Sequence, residues 1–115
     1  MESSSHPYAD LSPVAVLEAV ESLGFETDAR IFPLNSYENR VYQVGLIGKP
    51  SIIVKFYRPG RWTTAQILEE HSYTLELVEL EIPVVPPIAF GSAGTLLGYK
   101  NFQFSVFEQF LGRPP

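Results

Sequence analysis

Cysteine is absent from this chain of 115 residues, which removes disulfides and thiolate metal sites. Histidine is scarce: His6 and His71 stand far apart without metal-ligand spacing, so zinc chemistry has no support. No apolar run approaches the about 18 residues that span a bilayer. Met1 to Asp10 is polar and lacks the basic and apolar regions of a signal peptide, so the expected location is the cytoplasm. Positive charge is also in deficit. Eight Lys and Arg face thirteen Asp and Glu, a net charge of −5, which argues against a nucleic-acid partner and against an anionic membrane surface.

What is present argues for one packed domain. Hydrophobic residues make up 45% and aromatic residues 13%, too apolar for disorder and enough for a single core. Residues 1–11 read as a flexible arm. Ser12-Pro13 supplies an N-cap and a proline at the first helical position, and Gly24 a stop, giving a helix over 13–23. Pro33 makes 30–34 an edge strand, and 35–39 is rich in turn formers. Strands follow over 40–46 and 51–57, separated by a turn at 47–50. Thr63 and Gln66 form a capping-box pattern for a helix over 63–80, with Ile67, Leu68, Leu75 and Val78 as its apolar side. The prolines at 83, 86 and 87 end it. Short strands are expected over 88–90 and 95–99, and a longer one over 102–110.

The unusual residue is Lys55, inside the apolar run Ile52-Ile53-Val54-Lys55-Phe56-Tyr57. An ammonium in a strand apolar on both sides needs a carboxylate or a bound anion. Glu70 lies fifteen residues on, about 100° around the helix from the water-facing Glu69, and so at the core border. Together they suit a nucleotide-phosphate clamp. The alternative is an edge-strand lysine reaching to solvent. The turn Asn35-Ser36-Tyr37-Glu38-Asn39 can offer backbone N–H groups to phosphate oxygens, although it lacks the glycines of a phosphate loop and also suits an ordinary hairpin. Glu108 to Gly112 closes the last strand, where free backbone groups can pair with a purine edge or simply end a sheet.

The strings Leu34 to Gln43, Val54-Lys55-Phe56-Tyr57-Arg58-Pro59, Gln66 to His71 and Ile82 to Pro87 closely resemble the bacterial stress response kinase A family. These are serine/threonine protein kinases of the aminoglycoside phosphotransferase-like superfamily. The similarity runs from about residue 10 to 113 and covers only the amino-terminal lobe of such a kinase. It implies an α+β fold of about five antiparallel strands with one main packed helix and an extra N-terminal helix. It also implies that Lys55 binds ATP phosphates, that Glu70 pairs with Lys55, and that residues 35–39 lie over the phosphates. Phe107, Glu108 and Phe110 fall at the adenine hinge. Asn39-Arg40-Val41-Tyr42 resembles the superfamily's Asn-x-Thr-Tyr stretch, with Val41 in place of threonine.

Phosphoryl transfer also needs a base-like aspartate and metal-holding Asp or Asn groups. The only aspartates, Asp10 and Asp28, precede Lys55 and lie outside any His-x-Asp context. No catalytic or metal-binding residue is therefore assigned, and the Mg²⁺ ligands are expected in a carboxy-terminal lobe. The lobe is expected over 12–112, with 113–115 opening a linker to that second lobe and an apolar face packing against it. The partners expected are ATP and a protein substrate, with the fragment inactive alone. Two other readings remain: a stand-alone non-catalytic nucleotide- or partner-binding module, and the lobe of an aminoglycoside- or choline-type small-molecule kinase.

Overall fold

Along residues 40–46 and 49–56 successive side chains point to opposite faces of a sheet. Tyr42, Val44 and Leu46 therefore share one face with Ile52, Val54 and Phe56, while Val41 and Gln43 share the other with Ile53 and Lys55. The computed structural model describes residues 11–34, 39–58, 62–82, 84–100 and 102–108. The arm before Leu11, turn residues 35–38, Phe110 and the expected linker at 113–115 lie outside these described residues.

Strands β1 (Thr27–Leu34), β2 (Arg40–Leu46), β3 (Lys49–Phe56), β4 (Leu97–Tyr99) and β5 (Phe102–Glu108) form one antiparallel sheet in the order β1-β2-β3-β5-β4. With helices α1 (Pro13–Glu21) and α2 (Thr64–Glu79) this is the expected α+β lobe. The proline-bearing strand is at the edge, as its missing N–H requires. It starts three residues earlier than expected, with a register shift between Thr27 and Ile31 that contains Ala29 at φ 71°.

The main core lies on the Phe56 face. Val44, Val54, Phe56, Phe104 and Val106 are wholly buried there, and the Phe56 ring stacks on Phe104 with centroids 5.0 Å apart. Tyr42 and Phe102 meet Phe56 edge-on at 6.3 and 6.2 Å. Helix α1 covers this face with Ala15, Val16, Ala19 and Val20. Its first turn is satisfied by Ser12, whose Oγ accepts from the Ala15 N–H at 3.1 Å.

Helix α2 belongs to the opposite face. The capping box forms: Thr63 Oγ1 accepts from Gln66 N–H at 3.0 Å, and Gln66 Oε1 accepts from Thr63 N–H at 2.9 Å. The expected apolar side is wrong in part. Ile67 is buried, but Leu68 and Leu75 are each 44% exposed and Val78 is 38% exposed. The inward stripe is Ile67, His71, Thr74 and Leu77, at the i, i+4, i+7, i+10 spacing of one helix face. Leucines on several sides leave the apolar pattern ambiguous, and the polar partners of His71 select the orientation.

Residues 88–90 are not a strand. Pro86 and Pro87 have no N–H to donate, and the segment meets β5 only through a bridge of Pro87 to Phe107 and one bond from Ile88 N–H to Val106 O at 2.7 Å. Phe90 then leads into a 3₁₀ turn over Gly91–Ala93, and β4 begins at Leu97 rather than at 95.

Phe56→Ala is expected to cost about 3–5 kcal/mol, a large share of the stability of a small domain. Urea unfolding of the two chains should show the midpoint collapse without a change in the wild-type slope.

Candidate functional site

Burying Phe56 in the core forces Lys55 onto the other face, because neighbours in a strand alternate. Across the sheet Val41, Lys55 and Ser105 form one row, and Gln43, Ile53 and Phe107 form the next. Lys55 is half-buried, with its Nζ over the Tyr57 ring at 5.2 Å from the centroid. Among the described residues it makes no ion pair with Glu70, which is exposed on α2.

His71 is 4% exposed and sits at the centre of a polar cluster. Its Nε2 lies 2.9 Å from Tyr57 Oη and 3.1 Å from Ser105 Oγ, and these two oxygens are 3.1 Å apart. Its Nδ1 lies 2.7 Å from Thr95 Oγ1. In the tautomer that donates from Nδ1 to Thr95, Nε2 is free to accept from a hydroxyl, so each buried ring nitrogen has a partner. Burial holds the imidazole below its ordinary pKa; the carboxylate of Glu70 opposes that shift and the ammonium of Lys55 adds to it. Burial also pushes the Tyr57 phenol up to about 12, against the Ser105 hydrogen bond that favours its ionised form.

The other expected site residues are dispersed. Asn39 Oδ1 accepts from Arg58 N–H at 3.1 Å, closing the open end of the β2–β3 hairpin beside Lys55. Phe107 shares the Lys55 face, whereas Glu108 pairs with Ile52 and turns to the core side. There Glu108 lines a cavity of about 350 Å³ with Ile52, Leu46 and Phe25. Sequence reasoning passed over His71, Tyr57, Ser105 and Thr95 as a group. The available signal was His71 four residues after Ile67, a ring with two polar nitrogens on the same helix face as Ile67 and Leu77. Among the described residues no three His, Cys, Asp or Glu side chains cluster to hold a metal. No described helix is long and apolar enough to cross a membrane.

The model of the phosphotransferase enzyme family matches residues 30–115, which include the whole sheet from β2 onward and helix α2. The chain belongs to this family. Its curated relatives include stress response kinase A of Escherichia coli strain K12, 45% identical over 113 residues, and that of Salmonella choleraesuis strain SC-B67, 41% identical over 113 residues. The serine/threonine protein kinase RdoA of Salmonella typhimurium strain LT2 is 41% identical over the same length. Each match takes in 98% of this chain and 34% of the relative, so the chain spans about a third of the phosphotransferases it resembles.

The depressed imidazole pKa sets a direction for acid stability. Below the ordinary histidine value of about 6.5 the unfolded chain takes up a proton that the buried ring resists, so stability falls as pH drops. Thermal melts from pH 7.5 to 5 should show a steeper loss for wild type than for His71→Asn.

Proposed function

We propose that this chain is the ATP-binding lobe of a serine/threonine protein kinase. The observation that carries the reading is Lys55, a half-buried cation on the sheet face opposite the main core and beside helix α2. The family match and the names of the kinase relatives support it. Lys55 would bind the ATP phosphates, as an ammonium on a rigid strand suits, and Glu70 would turn inward to pair with it once nucleotide is present. Residues 35–39 would close over the phosphates, with Asn39 fixing the base of that turn through Arg58. Phe107 would face adenine, with the backbone at Glu108 and Phe110 completing the hinge.

The residues present fit the nucleotide but not the metal. A cation, a turn and an apolar floor of Val41, Ile53 and Phe107 suit ATP, while the described residues offer no carboxylate cluster for Mg²⁺. The Mg²⁺ ligands and the catalytic base would belong to a second lobe, without which this lobe would be inactive. Leu68, Leu75, Val78 and Leu80, exposed on and just after α2, provide an apolar surface for that second lobe. The polypeptide would work in the cytoplasm, moving the γ-phosphoryl group of ATP to a protein hydroxyl.

In the native polypeptide Lys55→Met should weaken ATP binding by at least about tenfold, the value of one charge-assisted hydrogen bond. Calorimetric titration with ATP and Mg²⁺ reads this, and an unchanged affinity would remove the clamp. Labelled ATP offered with protein, sugar and amino-alcohol acceptors should mark protein serine or threonine. Label on the small molecules instead would make it the lobe of a small-molecule kinase.

A further inference from the structure

Helix α2 has one buried apolar side chain, Ile67, so hydrophobic contact leaves its rotation about its own axis poorly determined. His71 supplies what is missing. Its two ring nitrogens reach three separate parts of the chain: Tyr57 just after β3, Ser105 in β5, and Thr95 before β4. Tyr57 is itself locked to the sheet, since its N–H donates to Gln103 O at 2.9 Å and its phenol oxygen lies 3.1 Å from Ser105 Oγ. The ring of Tyr57 also carries Lys55 Nζ over its face. Glu70 is the residue next to His71 on the helix. One buried cluster thus touches the cation of the clamp on one side and fixes the helix turn that bears its carboxylate on the other.

We propose that His71 is a positioning residue for the phosphate clamp: bonded to Tyr57, Ser105 and Thr95, it fixes the turn of α2 that carries Glu70, so that only the Glu70 side chain has to swing to reach Lys55 when nucleotide binds. This rests on the clamp reading above. Hydrogen bonds suit the task better than packing, because they are directional and a buried group left without its partner is costly. A leucine at 71 would fill similar space and leave the helix free to turn, and it would strand the Tyr57 and Ser105 hydroxyls without the imidazole.

A double-mutant cycle in the native polypeptide tests this, with a non-hydrolysable ATP analogue and Mg²⁺ as the probe and thermal midpoints confirming that each variant is folded. His71→Leu and Glu70→Gln should each weaken binding by about tenfold, and the double variant should be no weaker than either alone, as for residues acting through one another. His71→Gln, whose amide reaches the Nε2 position, should recover binding to within about twofold of wild type. Tyr57→Phe keeps the ring beneath Lys55 and removes only the hydroxyl; it should fall between the two. Losses that multiply in the double variant would overturn the positioning role and leave the clamp standing. Should His71→Leu be unfolded, the same cycle is run with Tyr57→Phe in its place, and multiplying losses there overturn the role equally. If Glu70→Gln and Lys55→Met both bind as tightly as wild type, the clamp fails, and the positioning role fails with it.

Discussion

Alternation along β3 is the constraint from which the arrangement of the lobe follows. Ile52, Val54 and Phe56 enter the core beneath α1, and the pleat then has no choice but to place Ile53, Lys55 and Tyr57 on the other face. A slip of one residue would drive the lysine ammonium into a wholly apolar layer and leave Phe56 facing water, a double loss that fixes the register. The stack of Phe56 on Phe104 and the edge contacts of Tyr42 and Phe102 hold that register from the core side. The face that carries Lys55 is, in this sense, the reverse side of the core.

The two helices are attached by different physics. Helix α1 buries four small or branched apolar side chains and is held by area removed from water, at about 25 cal/mol per Å². Helix α2 buries Ile67 and His71 only, so its attachment depends on hydrogen bonds whose net worth is about 1 kcal/mol each. Such an attachment is weak in energy and strict in geometry. Several leucines on the same helix accordingly remain at the surface.

Much of the fold was legible in the residues. The β2 boundaries, the proline edge strand, the Ser12 and Thr63 caps and the strand lysine follow from local rules of proline geometry, capping and alternation, which need no knowledge of distant parts of the chain. The candidate strand at 88–90 failed because its apolar letters suit a strand while Pro86 and Pro87 deprive it of ladder donors. The face of α2 was misread because its leucines surround the axis, and hydropathy weighs them all alike.

By itself the sequence determined the caps that start both helices, the proline edge strand and the lysine set within the apolar run of β3. These are properties of neighbours in the chain, set within a few residues. Only the tertiary structure decided that His71 points inward, because its partners lie 14, 24 and 34 residues away in the chain and meet at one point only when β3, β5 and α2 have packed. A buried imidazole is stable where its hydrogen-bond partners are, and no local pattern says where that will be.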